Sequence, residues 1–504
     1  MLIRTLARRA AAAATGGALV ATGLLVGGPA PQAHAAPVNP EAAAAASWLA
    51  AQLDANGRFT TGFDAVGSTV DLGLSLVATD ASPATLTRVT DGVKGVLETY
   101  VGTEAAPNPS KLAKAAALFQ QTGADLTDVA GIDLEARLEA NVDDTTGQLG
   151  ATPDVYGQVW AVQVLDAIGS DEAAKATDTL IAQKCTGAGW GYTYEGVCTS
   201  AVDGTAYTLL ALLPQRDDPD VAAAVTDAIT WLKDQQRLDG GFGDWGVNDN
   251  GTTSEGNGTG LAAWALGAAG ETESAERAAT WVADHQVANL AGCTATVPGE
   301  SGAIAYDDFN MNSAIEDGIT STDRGTWVFT GAQALAGLAY LPAGAPSLTG
   351  PTGYVHAGGT AGLGTLGLRT NQPACLSGIG AARKLSGPGQ LQVAVPAGTR
   401  TYTATLTYVG GSKSVTVKAL GAKKLTVKSA ARAKARAKLT VKVTGLAAGE
   451  RVTVKVGTKK VTGTATAAGK LTVKVKLAKK KGKTKVVAIG QFADRKGQKP
   501  LRVV

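Results

Sequence analysis

Apolar positions recur at helical spacing through the first two thirds of the chain and at strand spacing through the last third. The clearest helical stretch is Val225 to Gly270, which reads as helix, glycine turn, polar loop, helix. Ile229, Trp231, Leu232 and Gln235 share the spacing of one helix face. Gly240, Gly241 and Gly243 end that helix, because successive glycines supply backbone angles that a helix cannot continue through. Phe242 and Trp245 stand inside the turn, where rings on a tight loop can plug the gap between neighbouring units. Leu261, Trp264, Ala265 and Leu266 then resume helical spacing up to Gly270.

The pattern repeats. Trp48, Leu49 and Gln52 precede Asn56-Gly57-Arg58-Phe59, and Val70 to Ala78 follows. Leu138 and Val142 precede Gly147-Gln148-Leu149-Gly150, then Val159 to Ile168. Leu180, Ile181 and Gln183 precede Gly189-Trp190-Gly191, then Ala206 to Leu213. Trp281, Val282 and Gln286 precede a longer insertion, then Trp327 to Leu341. A unit without the glycine turn fits between Leu86 and Gln121. The turn markers fall at 59, 149, 190 and 242, a period of about forty-five with one marker skipped, as stacked helical hairpins require. Six units fill residues 40–342, the last carrying the insertion.

Gln235, Gln236 and the run Asp239-Gly240-Gly241-Phe242-Gly243-Asp244-Trp245 resemble the repeat of prenyltransferases and squalene (terpene) cyclases. That resemblance covers about three hundred residues, is strongest in units four and five, and implies six hairpins closed into a double ring, an (α/α)6 toroid.

After Leu341-Pro342 the helical spacing stops, and 343–350 reads as a Pro/Gly/Ser linker. Period-two runs follow at Leu391–Val395, Tyr402–Leu406, Ser414–Val417, Lys438–Val443, Val452–Val456 and Leu471–Val475. They predict antiparallel sandwiches: a β-rich domain over 351–424 and a basic sandwich over 425–504. The latter resembles bacterial immunoglobulin-like modules in pattern. The fold class expected is therefore α then β, a toroid over 36–342 followed by Ig-like sheets.

Residues 1–35 read as a signal peptide. Arg4, Arg8 and Arg9 precede the small apolar run Ala10 to Val26 and the small-x-small site Ala33-His34-Ala35. Arg8-Arg9 leaves both general and twin-arginine export open. No later stretch has the roughly eighteen apolar residues of a membrane span, so the expectation is a secreted protein, associated with the cell wall.

Charge divides the chain more sharply than its net +3 conveys. Residues 36–342 hold 13 Lys+Arg against 41 Asp+Glu, whereas 412–504 hold 26 against 2, Glu450 and Asp494. Lysines on outer strand faces deter aggregation. A basic domain on an exported protein also attracts anionic polymers through long-range charge, and an anionic cell-wall polymer is the expected partner. A tail folded onto the acidic ring is a further possibility. Phe492 is the sole aromatic from Ser412 onward, so base-stacking platforms are missing and no specific nucleic acid is expected.

Four cysteines suit an oxidising compartment. Cys185 and Cys198 bracket one glycine-rich loop and are expected to pair; Cys293 and Cys375 would then tie the insertion of unit six to the first β segment. No metal and no cofactor are expected, since no C-x-x-C occurs and the mature chain has only His285 and His356.

The resemblance brings three chemistries to test. Protein prenyltransferases hold zinc with an Asp two residues before a Cys; here those positions are Gln183, Gly196, Ala291 and Pro373. Class II cyclases protonate with Asp-x-Asp-Asp; the nearest text is Asn141-Val142-Asp143-Asp144, on the outer side of a turn. Thioester toroids need Cys-Gly-Glu-Gln, and Cys293 precedes Thr294-Ala295-Thr296. All three sets are missing, so no catalytic residue is assigned and the ring reads as a binding or scaffold unit. An extracellular enzyme with a divergent site for an isoprenoid or glycan is the rival. A small-ligand carrier of the cobalamin-binder type is a fold-order analogy.

What remains is the mouth of the ring, where the inner helices start. Alignment of the units puts Asp71, Tyr156, Asp203, Asn257 and Asp323 or Arg324 there, followed by Trp160, Tyr207, Trp264 and Trp327. Asp and Asn are good helix caps and Trp at helical spacing is commonly core; an acidic, aromatic mouth also suits a sugar, a cation or a polyprenyl chain. The loop Asp244 to Glu255 offers Asn248, Asp249 and Asn250 for calcium but lacks EF-hand spacing.

Overall fold

A computed structural model describes residues 39–243 and 253–504. The targeting segment, Trp245 and most of the loop from Asp244 to Glu255 lie outside the described residues. Fourteen helices are described: α1 (Pro40–Gln52), α2 (Ala65–Thr79), α3 (Pro83–Lys94), α4 (Leu97–Val101), α5 (Pro109–Gln121), α6 (Leu134–Glu139) and α7 (Val155–Ile168), then α8 (Ala173–Ala182), α9 (Val202–Leu212), α10 (Pro219–Gln235), α11 (Gly256–Ala269), α12 (Thr272–Asp284), α13 (Asp308–Asp317) and α14 (Arg324–Ala334). Polar caps start many of them: Asn39, Asp64, Asn108 and Asp154 each accept a backbone N–H of the first turn.

Helices α2, α5, α7, α9, α11 and α14 pack side by side in that order, and α14 returns to α2. They form the inner ring; α1, α3, α6, α8, α10 and α12 lie outside it. This is the (α/α)6 toroid, with α13 inside the insertion of unit six. Unit two replaces the glycine turn with α4 and a miniature hairpin, Gly102–Thr103 against Ala106–Pro107.

The repeat has a physical reason at each turn. The backbone N–H of the marker residue is taken up by the inner helix that follows: Phe59 by Thr69 Oγ1 (3.0 Å), Trp190 by Thr205 Oγ1 (2.9 Å) and Phe242 by Thr259 Oγ1 (2.9 Å). In unit three Gln158 Oε1 accepts from Leu149 instead, at 2.9 Å. Amides then stitch one unit to the next. Gln236 Nε2 donates to the carbonyls of Gly240 and Ser274, at 2.9 and 2.8 Å, and Gln286 Nε2 to those of Glu41 and Gly302, at 2.9 and 3.3 Å. At Gly147 the backbone has φ +79°, and an added Cβ would lie 2.2 Å from the carbonyl carbon of Lys175 on α8, so conformation and space both require glycine.

Ring closure joins the first and last units through a half-buried cluster. Glu300 accepts from Trp48 Nε1 at 2.7 Å and from both terminal nitrogens of Arg324, at 3.2 and 2.8 Å; Arg324 also reaches Gln52 Oε1 at 3.0 Å. The Arg324 bond holds the Glu300 carboxyl below its usual range, although burial works against it. A depressed carboxyl contributes stability above the unfolded pKa, about 4.3, and loses it as pH falls through the folded value. Glu300→Gln is expected to cost about 2 kcal/mol at pH 7, the usual scale for a charge-assisted bond, and much less at pH 3. Thermal denaturation of both proteins at the two values checks this; an equal deficit at both would refute it.

The remainder forms two β-sandwiches. In the first, strands 389–394, 360–366 and 347–349 make one sheet, and 354–356, 411–420, 400–408, 373–377 and 383–386 the other. Leu348, Leu363, Leu376, Leu406 and Val417 fill the space between. In the second, 426–428, 438–444 and 470–476 face a sheet built on 459–464, 451–456, 482–489 and 495–503, over Val441, Val454, Val475, Val486 and Leu501. The segment read as a linker already contains strand 347–349. Nor is every pair antiparallel: 354–356 runs parallel to 411–420, and 423–424 and 432–433 run parallel to 495–503. These are short edge strands laid down by crossing chain, which alternation along one strand does not encode.

Both disulfides are formed, Cys185–Cys198 and Cys293–Cys375. No described helix is long and apolar enough to cross a membrane.

Candidate binding cavity at the ring mouth

A cavity of about 540 Å³ opens at the N-terminal ends of α2, α5 and α14. Asp71, buried on α2, forms its base. Lys114 on α5 pairs with Asp71 at 2.7 Å, and Gln333 Nε2 on α14 donates to the same carboxylate at 3.3 Å. The Gln333 carbonyl oxygen is buried without a hydrogen-bond partner among the described residues. Asp64 caps α2 through the Gly67 N–H at 2.9 Å and pairs with Lys111 at 3.0 Å. Burial pushes its carboxyl up, but the Gly67 bond and the two nearby lysines outweigh this and hold it below the usual range. Ser68, Thr326 and Tyr306 add hydroxyls, and Phe63 and Phe329 stand exposed at the rim.

The inner helices beyond α5 bring further candidates together outside this lining. The Tyr156 hydroxyl donates to Asp203 at 2.8 Å, and Trp160 packs on Tyr207 with ring centroids 5.0 Å apart. Burial first, then the charges of Asp71 and Asp203, push the Tyr207 phenol well above its ordinary value, so it remains a neutral donor.

Tyr156, Asp203 and Asn257 fall at the second residues of α7, α9 and α11, and Arg324 opens α14, as the alignment expected. Asp71 does not; α2 begins at Ala65, so Asp71 sits almost two turns in, where burial replaces capping as its condition. Among these candidates only Asp71 lines the cavity. Asp323 bonds locally to Thr320 Oγ1 at 2.7 Å, Trp327 is core, and Trp264 is half-buried against the core. Asn257 is buried. Lys114, Gln333, Phe63 and Phe329 escaped the sequence reading. Lys114 carried a signal, a lone charge inside the apolar run Leu112–Leu118; Phe63 and Phe329 carried none, since neither falls on a repeat marker.

The arrangement balances two carboxylates with two ammonium groups and adds an open amide, hydroxyls and two rings. The Asn141–Asp144 stretch lies outside this lining, with Asp143 bonded to Thr145 and Thr146 of its own turn. Among the described residues no cluster of three or more His, Cys, Asp or Glu is placed to hold a metal ion.

No protein-family model matches the chain, and no curated protein does. Similar solved structures include ent-copalyl diphosphate synthase from Streptomyces platensis, at 18% identity and TM-score 0.36, over 55% of this chain and 50% of that one. This chain thus matches half the length of that synthase. A type II terpene cyclase from Scytonema matches at 15% identity and TM-score 0.39, over 60% of this chain and 97% of its own. An unsaturated glucuronyl hydrolase from a Bacillus species matches at 9% identity and TM-score 0.39, over 59% and 94%.

Proposed function

We propose that the protein is a secreted, non-catalytic binding protein of the cell envelope, whose toroid holds an uncharged, hydroxyl-rich ligand such as a sugar unit of a glycan. The observation that carries this reading is the base of the cavity: Asp71 and Lys114 neutralise each other beside Gln333, under the exposed rings of Phe63 and Phe329. A charged ligand would meet no net opposite charge there. A sugar matches it, since its hydroxyls both donate and accept and its C–H face stacks on aromatic rings. The size falls within the range of small-ligand sites, roughly 300–1,000 Å³. Two disulfides support export, and the basic sandwich is read as the part that attaches to an anionic envelope polymer.

The test is native mass spectrometry of the whole protein with oligosaccharides released from the envelope of its own host. A stoichiometric adduct is expected, weakened about tenfold by Phe329→Ala and by Gln333→Ala, roughly the worth of one stacking or hydrogen-bonding contact. No adduct at millimolar concentration, or unchanged affinity in both variants, would sink the reading. A change in the mass of the released glycan would establish the rival enzyme.

A further inference from the structure

Both sheets of the last sandwich carry lysines, but on one of them the outward positions form a regular array of a single kind. In strands 426–428, 438–444 and 470–476 the inward positions are apolar, and the outward ones are only lysine and threonine. Lys428, Lys438, Lys442, Lys470, Lys474 and Lys476 are all exposed. The register sets Lys438 opposite Lys476 and Lys428 opposite Lys442, with threonine facing the other two, Lys470 and Lys474, and the second side of Lys442. Like charges directly opposite one another destabilise a sheet, and surfaces that need only solubility intersperse the two signs. Here nothing intersperses them. From Ser412 onward the acids are Glu450 and Asp494 alone; Glu450 is buried against Arg495 and Asp494 pairs with His356. Among the described residues no ion pair reaches any of the six lysines.

Resting on the attachment reading above, we infer that this lysine–threonine face is the docking surface, and that its occupant is a linear polymer of phosphodiester-linked polyol units. Same-face residues along a strand are about 6.8 Å apart and neighbouring strands about 4.8 Å apart, so a flexible chain with one phosphate per short repeat can meet several ammonium groups at once. The face contains lysine and no arginine. It therefore reads charge density rather than the planar fork geometry that arginine matches. Threonine hydroxyls supply neutral donors between the charges. The single aromatic, Phe492, is taken up at 5.0 Å by His356, so bases have nothing to stack on.

The experiment measures binding of the full chain to synthetic poly(glycerol phosphate) over a salt series. Wild type is expected to bind with a linear log–log salt dependence. Lys438→Gln/Lys442→Gln/Lys474→Gln is expected to weaken binding at least tenfold and to lower the slope by about two, three lost contacts at about 0.7 each. A control on the opposite sheet, Lys455→Gln/Lys460→Gln/Lys485→Gln, should stay within twofold of wild type, with circular dichroism confirming that both variants fold. Equal loss in the two triples would overturn the face while leaving attachment by total charge intact. No binding by wild type would overturn both. Tighter binding to single-stranded DNA of equal charge, to anionic phospholipid vesicles or to a second copy at low salt would overturn the occupant.

Discussion

Arg495→Ala is expected to cost the C-terminal sandwich roughly 3–5 kcal/mol, the scale for breaking a buried ion pair by removing one partner. Arg495 and Glu450 are 1% and 0% exposed. Arg495 Nε and Nη2 each donate to a separate Glu450 oxygen at 2.7 Å, and Nη1 donates to the Gly421 carbonyl at 2.8 Å. Glu450 also takes the Ala447 N–H at 2.8 Å. Burial alone would push the Glu450 carboxyl up, yet Arg495 and that N–H hold it below its usual range. The pair's contribution is therefore present above the unfolded carboxyl pKa and fades as pH falls through the folded value. With alanine in place the sign reverses: the stranded carboxylate is relieved by protonation, so the variant's deficit should be largest at neutral pH and narrow on acidification. The module contains no tryptophan, so hydrogen exchange read by mass spectrometry on the full chain is the suitable probe. Arg495→Met with Glu450→Leu should recover most of the loss, because no charge is then left buried. A single-variant cost under about 1 kcal/mol would show that the pair is not what holds this sandwich closed.

The two ends of that pair explain what could and could not be read in advance. Glu450 was visible as one of two acids in a basic segment, but its partner, 45 residues on, is one of 26 cations there and nothing local distinguishes it. The toroid was legible because its signal is local and repeated. Each glycine turn, marker residue and linking glutamine satisfies backbone groups within one hairpin and its neighbour, so the same residue types recur at one period. The strands of the second sandwich were legible by alternation, whereas their partners were not, since register depends on turns and on the opposite sheet. The cavity was read least well. Asp71 was found because alignment of the units put it near the start of an inner helix; Gln333 and Phe329 belong to the last inner helix, and only ring closure brings them to Asp71.

Removing the Cys293–Cys375 bond, by Cys293→Ser with Cys375→Ser, is expected to lower stability by roughly 3–5 kcal/mol, since it closes an 82-residue loop and long loops gain most from a cross-link. The cost should fall on the junction of toroid and first sandwich. Polar contacts between side chains there, among the described residues, include Arg369 with Glu41 at 2.9 Å, Asn371 Nδ2 with Asp284 at 3.2 Å, and Lys384 with Thr296 at 3.1 Å. Asp284 lies at this junction, and burial, only partly offset by Asn371, Arg369 and His285, pushes its carboxyl up. A carboxyl whose folded pKa is raised favours the folded state while protonated and opposes it once ionised. Without the disulfide, the remaining fold should accordingly be most stable in mildly acid solution and lose stability as pH rises through the elevated value. Asp284→Asn in the serine background should remove that dependence. The measurement is guanidinium unfolding from pH 4.5 to 8 with exchange protection followed at residues 369–376. Free thiols at both cysteines in non-reducing peptide maps, or a stability change under about 1 kcal/mol, would mean that the two parts are held by their surfaces alone.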